Sequence, residues 1–182
     1  MMAFEKYTAF IFYWQAIEEK LGRKKSWRVL DYGCGVSDVG LFLSKQGAKI
    51  ILVDLDDQKL DFAQWRYTSR KLAVNVKRLE FPTEIPNIKQ GSIDLILATE
   101  FLEHVPDLLR IVKSFYRWLS EDGLLLNSMG LDFKRKLKGD HLKQALEIGN
   151  SQRYREYYGS HFKPISTSKD LDWLFQKAST KG

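Results

Sequence analysis

The sequence has a single cysteine and no long apolar run. These two absences exclude disulfide-stabilised proteins and proteins with a membrane-spanning helix. One cysteine, Cys34, among 182 residues excludes an intramolecular disulfide and is typical of a reducing compartment. No stretch approaches the ~20 consecutive apolar residues that a membrane-spanning helix needs. No charged-then-apolar leader segment opens the chain either. We therefore expect a cytoplasmic protein without a membrane span.

Acidic residues are outnumbered by basic ones, which gives the chain a formal net charge of +6. A positive charge favours anionic partners, but the basic residues are scattered, which is also typical of a solvated surface. At 182 residues and 44% hydrophobic composition, the chain can bury a sizeable core in a single domain. Within that domain we predict an N-terminal helical part (1–25), a ligand-binding core (26–128) and a helical C-terminal part (129–182).

A glycine turn between two apolar runs is the most informative stretch of the sequence. The run 29–32 is typical of a buried strand, and Gly33 and Gly35 follow it where a strand cannot continue. A second apolar run, 50–53, ends at Asp54, nineteen residues after Gly35. A strand, a glycine turn, a helix and a second strand with a terminal acid predict a nucleotide-binding half-fold, with Asp54 placed for ribose hydroxyls.

The spacing of the glycines argues against a dinucleotide. The dinucleotide fingerprint has glycine at its first, third and sixth positions, and counting from Gly33 the sixth position is Asp38. A carboxylate there would repel a pyrophosphate, whereas Asp31, two residues before Gly33, suits a cationic ligand such as the sulfonium and ammonium of S-adenosylmethionine. Ser37 and Asp38 can cap the helix that follows the turn. A dinucleotide-dependent oxidoreductase remains as an alternative.

Two segments resemble motifs of the class I S-adenosylmethionine-dependent methyltransferases, including those of the ubiquinone pathway. Val29-Leu30-Asp31-Tyr32-Gly33-Cys34-Gly35 is similar to the first motif of that family. Leu102-Glu103-His104-Val105 is similar to a segment that many members carry at the end of the fourth strand. Ser37 departs from the pattern, because many members have a third glycine there.

The resemblance implies an α/β fold, a Rossmann-like doubly wound parallel sheet with strand order 3-2-1-4-5. We expect its strands at 28–32, 49–54, 74–81, 91–98 (with the turn that opens it) and 124–127. The family's last two strands, an antiparallel hairpin, are expected to be absent, because the last long helix is expected at 169–175 and no strand is predicted after it. The fifth strand would then be an open edge, covered by 140–160, by a second copy or by a partner chain.

Two further features each leave two interpretations open. Apolar residues at spacings of three and four over 3–21, including Phe10, Ile11, Trp14 and Ile17, predict a helix with these residues on one face, which packing would bury. That helix could pack on the body of the protein, serve as a lid over the cofactor as in similar methyltransferases, or do both. Cys34 could be a small residue of the turn or a nucleophile. No base that would activate a nucleophile is evident in the sequence.

The resemblance also assigns roles to residues of the predicted cofactor site. Asp31 would face the methionine ammonium, and Gly33 and Gly35 would let the backbone approach the methionyl part. Asp54 would accept hydrogen bonds from both ribose hydroxyls, and Leu55 could lie against one face of the adenine.

Glu100, Glu103 and His104 follow the fourth strand, and three interpretations compete for them. Glu100 counts as a cofactor-binding candidate and Glu103 and His104 as catalytic candidates, with His104 as a base or substrate contact. The three residues together with His161 could instead bind Mg²⁺ or Mn²⁺, as in the similar segment of plant-type small-RNA 2′-O-methyltransferases. The third interpretation is purely structural.

The expected function is S-adenosylmethionine-dependent methylation of a small molecule, at oxygen, with S-adenosylhomocysteine as product. One alternative is metal-assisted methylation of RNA at the 2′-oxygen. A short basic cluster, 134–143, could contact RNA or a substrate phosphate, although a solvated loop and helix explain it as well. The other alternative is a cofactor-binding but inactive regulatory or subunit domain, which the missing last strands support.

Overall fold

A computed structural model describes residues 2–22, 26–55, 57–128, 142–165 and 174–179. Seven strands form one sheet: Arg28–Tyr32 (β1), Lys49–Leu55 (β2), Val74–Leu79 (β3), Ile93–Leu97 (β4), Leu119–Leu126 (β5), Phe162–Pro164 (β6) and Leu174–Lys177 (β7). The helices are Met2–Leu21 (α1), Asp38–Lys45 (α2), Gln58–Thr68 (α3), Leu108–Trp118 (α4), Lys143–Asn150 (α5) and Gln152–His161 (α6). A short 3₁₀ helix, Leu102–His104, follows β4.

The sheet has the order β3-β2-β1-β4-β5-β7-β6, and its first five strands are parallel. This confirms the predicted Rossmann-like core and its order 3-2-1-4-5. In the central strand β1, Leu30 pairs with Ile51 of β2 on one side and with Ile96 of β4 on the other. Since all three strands run the same way, their carboxyl ends meet at one edge of the sheet, where α/β folds bind ligands.

The prediction that the last two strands are absent is wrong. Strands β6 and β7 form an antiparallel hairpin, and β7 pairs with β5 through Leu125 and Phe175. The edge of β5 is therefore covered by β7, not by 140–160. The helix expected at 169–175 is wrong for its last two residues, because Leu174 and Phe175 belong to β7, and the rest of it lies outside the described residues. The hairpin strands have only 3 and 4 residues, too few to show the alternation that identifies a strand from sequence.

The sheet is covered on both faces, as a parallel sheet must be. Successive residues of β1 point to opposite faces, so Val29 joins the cluster under α1, α2 and α3, and Leu30 joins the cluster under α4, α5 and α6. Tyr67 of α3 and Tyr158 of α6, both fully buried, belong to the first and second clusters respectively. These two layers fix the strand tips that form the candidate site.

Helix α1 confirms the predicted N-terminal helix and packs on the body. Phe10 and Ile17 are buried, and the Trp14 ring lies 5.7 Å from the Trp27 ring. Ile11 is 55% exposed, so its expected place on the buried face is wrong. The lid role stays a prediction. No helix among the described ranges combines the length and the apolar character needed to cross a membrane.

Most of the basic cluster lies outside the residues that the structure describes. Lys143, its last member, begins α5 with an 84% exposed side chain 3.8 Å from Glu147. That exposure fits the interpretation of a solvated helix for this one residue.

Candidate functional site

A cavity of about 580 Å³ opens at the carboxyl ends of β1, β2 and β4. Its volume falls in the range of sites that hold cofactors and small molecules. Seven of the predicted site residues line this cavity: Asp31, Gly33, Gly35, Asp54, Leu55, Glu100 and His104. Glu103 and His161 are not among the lining residues.

The glycine turn is tied to β2 by backbone hydrogen bonds. The amide of Gly33 donates to the carbonyl of Val53 over 2.8 Å, and Gly33 and Gly35 have φ of +65° and +53°. L-residues adopt such angles at a cost, which explains the two glycines. A Cβ on Gly33 would collide with the Phe101 ring, whereas a Cβ on Gly35 would meet no atom within 4 Å. The backbone at Gly35 therefore faces open space.

Asp54 is held at the tip of β2 by two backbone amides. Its Oδ2 accepts from the amide of Gly35 at 2.7 Å, and its Oδ1 accepts from the amide of Leu55 at 2.8 Å. Each carboxylate oxygen can accept a second hydrogen bond, so these contacts fix the orientation of the carboxylate without exhausting its capacity. The carboxylate lines the cavity in this fixed orientation.

Asp31, at the tip of β1, is buried at 8% exposure and accepts a 2.7 Å hydrogen bond from Ser37 Oγ at its Oδ2. Ser37 Oγ also lies 3.0 Å from the hydroxyl of Tyr67. Ser37 precedes α2 with φ of 54°, and its side chain makes no capping hydrogen bond. The expectation that Ser37 caps this helix is wrong, because its hydroxyl is directed to Asp31 and Tyr67.

The segment after β4 forms another wall of the cavity. Glu100 has φ of +49°, which is uncommon for a residue other than glycine, and its amide donates to Ser128 Oγ at 2.8 Å. His104, in the 3₁₀ helix, lines the cavity. Glu103, beside it, is 1% exposed, and its backbone oxygen accepts from the amide of Leu142. Glu103 is therefore buried beside the cavity that His104 lines, without being one of its lining residues.

His161 lies in a separate aromatic cluster at the end of α6. Its ring stacks on Tyr157 at 3.9 Å between centroids and meets the edge of the Tyr116 ring at 4.6 Å. Its Nδ1 lies 2.8 Å from the backbone oxygen of Tyr157. Across the described ranges, no three His, Cys, Asp or Glu residues are grouped so that they could hold a metal ion. The described residues therefore give no support to the predicted metal site of Glu100, Glu103, His104 and His161, which stays a prediction.

Apolar residues beside His104 were not predicted as part of the site. Phe101, Val105 and Leu126 line the cavity near the β4 and β5 tips. Phe101 lies four residues after the end of β4, and Leu126 is the last residue of β5. A position close to the carboxyl end of a strand was the signal that could have identified them, but the roles after the fourth strand were assigned only to Glu100, Glu103 and His104.

A five-stranded parallel core in the order 3-2-1-4-5, extended by an antiparallel hairpin and carrying acids at the tips of β1 and β2, defines a class I methyltransferase fold. Residues 7–179 match a family described as a methyltransferase domain. The chain therefore belongs to the methyltransferase family, as its two motifs predicted.

Individual relatives are distant. A ubiquinone biosynthesis O-methyltransferase from Actinobacillus pleuropneumoniae is 28% identical over 82% of this chain and 76% of the relative. A crystal structure of a Pyrococcus horikoshii protein aligns with a TM-score of 0.64 at 15% identity, covering 95% of this chain and 91% of the other. The structure of a SAM-dependent methyltransferase from Aquifex aeolicus aligns with a TM-score of 0.60 at 17% identity, covering 90% and 87%.

The likeness to these structures concerns the fold, since identity is low. Two longer solved chains share the fold, and this chain spans 41% and 43% of their lengths. One fold supports many reactions, so the chemistry has to be argued from the site.

Proposed function

We propose that the chain transfers a methyl group from S-adenosylmethionine to an oxygen atom of a small, largely apolar molecule. The observation that carries this proposal is a single cavity that joins the Asp31 and Asp54 carboxylates to His104. A cofactor held by the acids would have its reactive end in the same space as a candidate base. That juxtaposition is what an in-line transfer requires.

The residues at the β1 and β2 tips fit the cofactor in charge and in shape. The Asp31 carboxylate would face the ammonium, and the Asp54 carboxylate, held by two amides, would accept from the ribose hydroxyls. The open space at Gly35 leaves room for the methionyl part beside the backbone. Leu55, 38% exposed at the mouth of the cavity, offers an apolar face to the adenine. Glu100 remains a candidate for a further contact.

S-adenosylmethionine supplies a methyl group on a sulfonium, which is already an activated leaving group. The protein's task is therefore to align the acceptor and to remove its proton. A ring nitrogen of His104 can accept that proton, which is the commonest role of histidine in such a position. Glu100, held at φ of +49° by its bond to Ser128, fixes the start of the segment that carries His104.

The walls around His104 favour an apolar acceptor. Phe101, Val105 and Leu126 present hydrocarbon and aromatic surface, and Phe101 is itself held against Tyr32 at 5.0 Å between ring centroids. Aromatic acceptors bind well to such surfaces. Transfer to oxygen agrees with the name of the relative from Actinobacillus pleuropneumoniae, an O-methyltransferase. A phenolic hydroxyl is the acceptor group that combines both features.

The observations favour neither alternative. Metal-assisted RNA methylation would need a metal site, and within the described ranges no group of three or more His, Cys, Asp or Glu residues could hold a metal ion. The inactive-domain interpretation depended on missing strands, and β6 and β7 are present.

The test is to incubate the purified chain with S-adenosylmethionine and two acceptor pools, and to measure S-adenosylhomocysteine by mass spectrometry. One pool contains phenols and catechols, and the other contains total RNA with added Mg²⁺. We expect product with the phenolic pool and none above background with RNA. Product with RNA alone, or with neither pool at full cofactor saturation, would overturn the proposal.

A further inference from the structure

We propose that Ser37 is a positioning residue: its hydroxyl, held by Tyr67, orients the Asp31 carboxylate toward the ammonium of the cofactor. The inference rests on the proposed function and deepens it, because it assigns recognition of the amino-acid end of the cofactor to a three-residue relay. Neither Ser37 nor Tyr67 needs to touch the cofactor's methyl group.

The hydrogen bonds in the relay have a defined direction. A carboxylate can only accept, so the Ser37 hydroxyl donates its single proton to Asp31 Oδ2 across 2.7 Å. The contact of 3.0 Å between Ser37 Oγ and the Tyr67 hydroxyl is then donated by Tyr67. The chain of donation runs from Tyr67 through Ser37 to Asp31. Each bond in such a chain polarises and strengthens the next.

The relay is buried, which makes it stiff. Exposure falls from 8% at Asp31 to 2% at Ser37 and 0% at Tyr67. Burial raises the pKa of the Tyr67 hydroxyl far above its usual range, so Tyr67 keeps its proton and remains a donor. In a dry environment a hydrogen bond to a charged group is stronger than at the surface.

Gly40 on α2 leaves the space in which the three polar groups meet. A Cβ at this position would collide with Ser37 Oγ and would lie 2.7 Å from Asp31 Oδ2 and 2.8 Å from the Tyr67 oxygen. Glycine inside a helix costs stability relative to alanine, so its presence here has a steric reason. Because residue 40 has no side chain, the hydrogen bonds between Tyr67, Ser37 and Asp31 can form beside the helix.

Ser37 departs from the backbone angle and from the helix-capping role that are usual for serine before a helix. It stands where many similar proteins have glycine and keeps a left-handed φ of 54° that glycine would adopt without strain. It also gives no capping bond to α2. The Ser37 side chain instead makes hydrogen bonds to both Asp31 and Tyr67. The strained backbone and the absence of a capping bond would both favour glycine at this position, so these two hydrogen bonds are the reason that we give for a serine.

Two substitutions separate the hydroxyl from the backbone effect. Ser37→Ala removes the hydroxyl and keeps the strain, whereas Ser37→Gly removes the hydroxyl and relieves the strain. Ser37→Ala should therefore be less stable to unfolding than Ser37→Gly, while any effect of the hydroxyl on binding should be the same in both. Ser114→Ala is the matched control, because Ser114 is a fully buried serine of α4 that does not line the cavity.

The measurement is calorimetric affinity for two probes, S-adenosylhomocysteine and 5′-methylthioadenosine, which lacks the amino-acid part. We expect Ser37→Ala and Ser37→Gly each to weaken S-adenosylhomocysteine binding about 10-fold, the typical effect of a hydrogen bond to a charged group. Affinity for 5′-methylthioadenosine should stay at the wild-type value in both. Tyr67→Phe should show the same ligand selectivity, and Ser114→Ala should change neither affinity.

Three results would count against these assignments, and they can be told apart. Wild-type affinity for S-adenosylhomocysteine in both Ser37 variants would overturn the positioning role and leave the proposed function intact. Equal losses for both probes would overturn it as well, since they would show a general disturbance of the cavity. A wild-type chain that binds neither probe would overturn the proposed function, and the inference with it.

Discussion

The amide of Gly35 donates a 2.7 Å hydrogen bond to Oδ2 of Asp54, and this bond joins the glycine turn of β1 to the tip of β2. The two residues lie nineteen positions apart in the sequence. The bond fixes the Asp54 carboxylate at the edge of the cavity and fixes the turn against it. A hydrogen bond between a backbone amide and a side-chain carboxylate thus links the two strand tips of the candidate cofactor site.

Replacing the carboxylate of Asp54 should remove most of the cofactor affinity. Asp54→Ala would lose two expected acceptor bonds to ribose hydroxyls, and we expect S-adenosylhomocysteine to bind roughly 100-fold more weakly. Calorimetric titration gives the affinity. Asp61→Ala is the control, because Asp61 is 66% exposed, pairs with Arg78 and does not line the cavity. Equal affinities in the two variants would contradict the role of Asp54.

Alanine at the two glycines should have different effects. Gly33→Ala combines a φ of +65° with a collision against Phe101, so we expect a loss of about 2 kcal/mol or more in the free energy of unfolding. Gly35→Ala meets no atom, so the left-handed backbone alone should cost about 1 kcal/mol. Its methyl group would enter the cavity, so affinity for S-adenosylhomocysteine should fall. Urea unfolding and calorimetry together separate the two effects, and a Gly35→Ala protein with full affinity would refute this placement of the cofactor.

Removing the imidazole of His104 should slow turnover without affecting the cofactor. We expect His104→Ala to lower kcat by about 10²- to 10⁴-fold, the usual contribution of a general base, with the affinity for S-adenosylhomocysteine unchanged. His161→Ala should keep the wild-type kcat, because His161 is held between Tyr116 and Tyr157 outside the cavity. A chelator should leave activity unchanged as well, and activity that depends on added Mg²⁺ would restore the metal hypothesis.

The packing of Phe175 of β7 in the core should raise the free energy of unfolding. Phe175 is 1% exposed and meets the ring of Tyr158 edge-on at 5.0 Å. Phe175→Ala would leave a cavity in the core and should cost about 3–5 kcal/mol of unfolding free energy. Phe81→Ala, at a 63% exposed position, is the control and should change stability by about 0.5 kcal/mol at most. Similar small losses in both variants would indicate that β7 does not pack on the sheet in solution.

Buried tyrosines should make the fold sensitive to alkali. Burial, with a further contribution from Tyr116, raises the pKa of Tyr157 from 10.0 to about 12, and burial raises the pKa of Tyr67 and of Tyr158 still further. Above pH 10 the unfolded chain therefore releases protons that the folded chain keeps, so the free energy of unfolding falls as the pH rises through this range. Burial lowers the pKa of Lys177, which acts in the opposite sense, but it is one group against several.

Urea unfolding at a series of pH values checks this expectation. The slope should approach about 1.4 kcal/mol per pH unit for each fully buried tyrosine that ionises only on unfolding. Tyrosinate absorbance should rise together with unfolding and not before it. Stability that stays level well above pH 10 would show that these hydroxyls ionise in the folded protein.

The local parts of the fold could be predicted from sequence because their signals are local. Residues 28–32 and 49–54 are largely apolar stretches ended by glycine or acid, and each coincides with an observed strand to within one residue. The inward residues of α3, Leu60 and Tyr67 among them, follow the helical period and are buried. The two motifs place their acids and glycines at strand ends, where the structure finds the cavity.

The errors concern contacts between distant segments. Strand β7 forms because it pairs with the edge of β5 and because Phe175 packs into the core. Neither contact can be predicted from the four residues of the strand alone. His104 and His161 both lie in motif-like segments, but the former ends up at the β4 tip and the latter among the rings packed on α4. Spacing along the chain cannot distinguish these two outcomes.

The sequence by itself determined the parallel core, the glycine turn and the acids of a methyltransferase, because strand period, turn chemistry and charge are properties of short segments. Only the tertiary structure decided which of those side chains share a space. It directed the Ser37 hydroxyl to Asp31 and Tyr67 in place of a helix cap, closed the sheet edge with β7 and kept His161 away from the cavity. The physical reason is that packing brings together residues from separate segments, such as Ser37 and Tyr67, and their distances follow from the whole core.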